Sequence, residues 1–92
     1  MEQIKRYQAV ISGKVQGVGL RVFIVSHAHE LDITGWVKNM EDGTVHMEAQ
    51  GTTDALEKLI ATIKKGNFII NVEKINYQEI DCIEESSFII KY

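Results

Sequence analysis

Residues 13–21 read Gly-Lys-Val-Gln-Gly-Val-Gly-Leu-Arg, three glycines leading to an arginine. Glycine tolerates positive φ, so a turn of this composition can aim successive backbone N–H groups at one point. If a helix follows, the positive end of its dipole adds to them. The guest that suits such a turn is a phosphate group. Arg21, one of only two arginines in the chain, has a planar fork that can donate two parallel hydrogen bonds to phosphate oxygens. Spacing alone leaves two readings open, a phosphate cradle or a glycine-rich connector with a solvent-facing arginine. The segment lacks the Gly-Lys-Ser/Thr ending of a nucleotide P-loop, and Val22 stands where a dinucleotide fingerprint needs its third glycine.

A second candidate, Asn39, ends the run Gly35-Trp36-Val37-Lys38-Asn39. Its amide offers an acceptor and donors without a charge to disturb a nearby anion, which suits the positioning of a water. An asparagine that merely caps its own turn is the alternative. Other residues with chemical potential have plainer readings. His27 and His29, two apart on a predicted helix, face different directions and do not share a metal, and His46 is an outward strand residue. Cys82 is the lone cysteine and has no basic neighbour, so it reads as a small hydrophobe. Trp36 either shields the site or fills a sheet face. Lys38 points away from Asn39 into solvent. Glu84 and Glu85, before two serines, read as a polar turn.

These residues need elements to hold them. Tyr7, Ala9 and Ile11 alternate with Arg6, Gln8 and Ser12, which predicts a strand running to about Gly13. Leu20, Ile24, Ala28 and Leu31 recur at helical spacing, although the β-branched run 22–25 also suits a buried strand. Residues 35–39 and 43–50 form two strands joined through an Asp42-Gly43 turn, with Val45, Met47 and Ala49 facing a core and Gly51 ending the second. A second helix is the clearest element. Thr52, Thr53 and Asp54 supply capping oxygens, Leu56, Leu59, Ile60 and Ile63 form the apolar stripe, Lys64 and Lys65 complement the dipole, and Gly66 closes the end. Residues 69–80 follow as a strand whose alternation changes phase, which predicts a bulge near Lys74, and Phe88, Ile90 and Tyr92 form a short final strand. The order predicts an α+β, ferredoxin-like βαββαβ sandwich: an antiparallel sheet with two helices on one face and a short extra C-terminal strand.

Composition sets the outer limits. Ninety-two residues, 45% apolar and 25% charged, suit one domain over 1–92 with a modest core. A net charge of −3 weighs against a nucleic-acid partner, and no run approaches a membrane span. The N-terminus has no apolar leader and no cysteine pair occurs, so a cytoplasmic location and no membrane partner are expected.

The loop at residues 13–21, with the segment from Gly35-Trp36-Val37-Lys38-Asn39 through Asp42-Gly43-Thr44-Val45 to Gly51, closely resembles the acylphosphatase family. The resemblance extends over essentially the whole chain. It implies hydrolysis of the carboxyl–phosphate bond of a small-molecule acyl phosphate by direct attack of a positioned water, without metal, cofactor or covalent intermediate. By it, Arg21 matches the phosphate-binding arginine, Asn39 the water-orienting asparagine, and the backbone of Val15, Gln16, Gly17, Val18, Gly19 and Leu20 the phosphate cradle. Inorganic phosphate would be product and competitive inhibitor, and a monomer is expected. The chain departs from the family's pattern at Leu20, usually aromatic there, and at Asn67-Phe68-Ile69, where many members carry proline. A binding module that holds phosphate without turnover is the alternative. An RNA-binding sheet is disfavoured, since the central strands lack an aromatic cluster in basic surroundings.

Overall fold

The computed structural model describes residues 3–92; the first two residues of the segment read for a leader lie outside the described residues. The chain runs β1 (Ile4–Lys14), α1 (Leu20–Glu30), β2 (Thr34–Asn39), β3 (Val45–Thr52), α2 (Thr53–Lys65), β4 (Asn71–Ile80) and β5 (Phe88–Lys91). The sheet order is β4-β1-β3-β2-β5. Neighbouring strands among the first four in this order are antiparallel, as the ferredoxin-like reading expects, while β5 lies parallel to β2 and makes the sheet mixed. The reason is topological. Because β4 runs against β1, it ends at the end of the sheet where β2 begins. The 81–87 segment crosses to the opposite edge there, and β5 sets out alongside β2 in the same direction.

The alternation read from sequence becomes two faces. Ala9, Ile11, Val37, Val45, Met47 and Ala49 are buried in one cluster with Leu20, Ile24 and Ala28 of α1 and Leu56, Leu59 and Ile63 of α2. Each Val, Leu, Ile or Met side chain among them contributes about 1.5–3 kcal/mol on burial, and each alanine less. The ambiguous run 22–25 is helical, because Leu20, Ile24 and Ala28 together present one face to the sheet. Thr52 caps α2, its hydroxyl accepting from the Ala55 N–H at 3.1 Å. It belongs to β3, so that strand runs one residue past Gly51. The expected bulge falls where Ser12 pairs with Lys74 and Gly13 with Val72, leaving Glu73 as the extra residue.

The opposite face of the sheet holds what periodicity does not show. Arg6, which alternates with the apolar residues of β1, is fully buried there. Its guanidinium donates to Glu48 at 2.9 Å, to Glu85 at 2.8 Å and to Gln50 at 3.2 Å. Glu85 is therefore a clasp and not part of a plain polar turn: with Gln50, whose side chain exchanges two hydrogen bonds with the Ile83 backbone, it holds the 81–87 segment against the sheet. Burial disfavours the charged guanidinium, but the hydrogen bonds and charges of Glu85 and Glu48 outweigh that and raise its pKa further.

Candidate active site

β1, β2 and β5 all end at one end of the sandwich, and the sequence-predicted residues meet there. Val15 and Leu20, each 1% exposed, are set into the core, so the intervening loop is pinned at both ends. Between them Gly17 and Gly19 adopt φ of 72° and 80°. In Gly19 this left-handed geometry forms the N-cap of α1, with no side chain capping the first turn and no acidic residue in it. The Phe23 N–H closes the first helical turn onto the Gly19 carbonyl at 3.0 Å. The N–H groups before it have no helical acceptor, the disposition that favours an anion.

A pocket of about 130 Å³ lies against this loop, lined by Val15, Gly17, Gly19, Leu20, Arg21, Val22, Asn39, Ile90 and Tyr92. That is well below the roughly 300–1,000 Å³ of sites that enclose drug-sized ligands, and its scale suits a small polar group. Arg21 is half-buried, its guanidinium carbon 5.3 Å from the centre of the Tyr92 ring, a cation–π approach that restrains the side chain. Asn39 enters from the end of β2. Its Oδ1 is buried and no hydrogen-bond donor among the described residues meets it. A buried acceptor without a partner is costly, and such atoms concentrate at functional sites.

The hairpin after Asn39 is held on both sides. The Asp42 carboxylate accepts from the Thr44 N–H at 3.0 Å and from the Thr44 hydroxyl at 2.6 Å. These two bonds, the hydroxyl's first, hold the Asp42 carboxyl below its ordinary 3.8 and keep it ionised. From the other side the Gln16 amide donates to the carbonyls of Met40 at 2.7 Å and Thr44 at 2.9 Å.

Six of the sequence-predicted site residues thus line one pocket. Gln16 and Val18 do not: Gln16 reaches across to the hairpin, and Val18 packs against the core. Leu20 fills a core position, which fixes the backbone next to Arg21. Val22, Ile90 and Tyr92 also line the pocket and were not read as site residues. No local signal marks Ile90 or Tyr92, because β5 reaches the pocket only by pairing with β2. Trp36 is on the outer sheet face, under the Lys91 ammonium at 4.5 Å, and does not line the pocket. His27 and His29 diverge as expected, towards Glu30 at 3.8 Å and the Phe88 carbonyl at 3.2 Å. Cys82 is exposed.

The family model and the sequence relatives described below agree. The sequence pattern of the acylphosphatase family matches residues 7–90. An acylphosphatase of Clostridium acetobutylicum is 47% identical over 90 residues, covering 97% of this chain and 99% of its own. One from Salinibacter ruber is 46% identical over 80 residues, covering 87% and 84%. The crystal structure of acylphosphatase from Bacillus subtilis superposes with a TM-score of 0.91 at 34% identity, covering 98% of this chain and all of that one.

Proposed function

The chain belongs to the acylphosphatase family, and from that premise we propose that the pocket between the glycine loop and Asn39 is where it hydrolyses acyl phosphates. The observation that carries this reading is the buried, unpartnered Oδ1 of Asn39 in a pocket also lined by Arg21 and the first turn of α1. The phosphoryl oxygens accept from the loop and first-turn N–H groups and from the Arg21 fork. A water donates one O–H to Asn39 Oδ1, which turns a lone pair towards phosphorus. As the new O–P bond forms, the bond between phosphorus and the acyl oxygen breaks. The electron pair leaves with the carboxylate, and the water's protons pass to the phosphate product and to solvent.

A carboxylate is a good leaving group, and the transition state of phosphoryl transfer is loose, so the water needs little deprotonation at the moment of attack. Positioning and charge stabilisation then suffice, and both are supplied by protein groups. We read the reaction as metal-independent on that basis. Residues 1–92 act in this reading as one domain, a cytoplasmic monomer inhibited competitively by inorganic phosphate. Turnover is favoured over mere binding because the relatives compared carry the enzyme's name.

The test is steady-state hydrolysis of an aromatic acyl phosphate with chelator present. Asn39→Ala should lower kcat about a hundredfold or more while phosphate inhibits as before, since the water is held for the transition state and the anion elsewhere. Arg21→Lys should weaken both phosphate inhibition and kcat, because a point charge does not reproduce the fork. Unchanged kinetics in Arg21→Lys, or activity abolished by the chelator, would overturn the assignment.

A further inference from the structure

The loop between α2 and β4 carries a feature the reaction does not use. Phe68 at its tip is wholly exposed and Ile69 is 60% exposed, so two adjacent large apolar side chains project into solvent. The tip is built rigidly. Asn67 Oδ1 accepts from the N–H groups of Ile69 at 2.9 Å and Ile70 at 2.8 Å, and Ile70 is 3% exposed, anchored in the core. A fixed turn that presents Phe68 outward gains nothing from it in folding, because the ring makes no buried contact.

The surroundings are cationic. Lys64 and Lys65 end α2, four and three residues before Phe68, and residues 62–72 contain no acidic side chain. Lys14 sits opposite Asn71 in the β1–β4 register, and Lys74 lies opposite Ser12 beyond the bulge, with Glu73 the acidic residue between. All four lysines are exposed, and none is in an ion pair among the described residues. This is a local excess of positive charge on a chain of net charge −3.

We propose that this tip docks the protein reversibly on an anionic lipid surface, Phe68 and Ile69 entering the headgroup boundary and the lysines facing the lipid charge. A convex apolar protrusion needs a partner that yields around it, which a fluid interface does, and the exposed lysines at the end of α2 and at the adjoining ends of β1 and β4 supply the charge complementarity. The absence of a spanning helix does not bear on this, because surface docking needs none. β4 begins and β1 ends at the same end of the sheet, so docking would turn the mouth of the phosphate pocket towards the membrane.

The test is co-sedimentation of the full chain with vesicles of phosphatidylcholine, with and without phosphatidylserine, at low and high salt. Binding is expected only with the anionic lipid, and 0.5 M salt should weaken it. Phe68→Ser should reduce partitioning about tenfold or more, and the pair Lys64→Gln with Lys65→Gln should reduce it by a similar factor. Thermal midpoints and acyl phosphate hydrolysis of these variants in free solution should match the parent, which separates lost docking from lost fold or lost catalysis. Equal sedimentation with neutral and anionic vesicles, none with either, or full binding by Phe68→Ser would overturn the proposal. Retention on immobilised poly-glutamate without vesicle binding would overturn it in favour of an acidic polypeptide partner.

Discussion

The Gln16 side chain ties the glycine loop to the Asn39 hairpin, one amide nitrogen donating to the carbonyls of Met40 at 2.7 Å and Thr44 at 2.9 Å. The proposed phosphate-holding and water-holding parts come from different elements, and this contact sets their separation. A displacement of about 1 Å at a reacting centre can cost roughly a hundredfold in rate. Gln16→Ala should therefore lower kcat about tenfold or more with a smaller change in KM, and cost about 1–2 kcal/mol of stability. Gln16→Glu should do worse, since its carboxylate would face two carbonyl oxygens. Steady-state kinetics beside urea unfolding separate the two effects.

Asn39 gives an opposite combination. Its buried Oδ1 accepts from no donor of the described residues, so truncating it removes no hydrogen bond within the protein. Asn39→Ala should leave the unfolding free energy within about 1 kcal/mol of the parent, or raise it, while turnover collapses. A large loss of stability on denaturant titration would mean that Asn39 holds the hairpin and not a water.

Two glycines with positive φ should respond differently to alanine. At Gly19 an added Cβ meets nothing within 4 Å, so only the left-handed backbone resists, at about 1–2 kcal/mol. Gly19→Ala should fold, with weakened phosphate inhibition as the N-cap relaxes. At Gly35, φ is 146° and a Cβ would run into the Glu48 carbonyl across the β2–β3 ladder. Gly35→Ala should lose the native fold by circular dichroism at 25 °C, because the backbone there has no room to yield.

Arg6 tests the clasp on the outer face. Its side chain is fully buried, while those of Glu48 and Glu85 keep 25% and 18% of their exposure. Arg6→Ala strands two carboxylates that water reaches in part, so the cost should be about 2–3 kcal/mol, below that of breaking a wholly buried pair. Hydrogen exchange should show the 81–87 segment opening first.

The depressed pKa of Asp42 fixes a pH dependence. A carboxyl whose folded-state pKa lies below its unfolded value stabilises the fold fully above the ordinary 3.8, and that contribution is lost as pH falls from there through the folded value. Comparing thermal midpoints of the parent and Asp42→Asn across pH 7 to 2 should give a gap that is widest near neutrality and closes in acid. A gap that widens in acid would contradict the Thr44 bonds as its source.

Much of this protein is determined by local pattern. Alternation in β1 and β3, the stripe of α2 with its Thr52 cap, the bulge by Lys74 and the glycines at 17 and 19 each follow from side-chain period or backbone freedom, which act over a few residues and are legible in order. Arg21 and Asn39 were legible as types suited to an anion and a water. That they line one pocket is decided by the tertiary structure, because β1 and β2 end at the same end only through the crossover and the β1–β3 pairing. The same holds for Arg6 and Glu85, 79 residues apart, for Gln16 reaching Thr44, and for Ile90 and Tyr92 arriving beside Arg21. Periodicity tells which face a residue takes, while what covers that face depends on contacts between distant segments, whose free energy exists only once the chain has closed on itself.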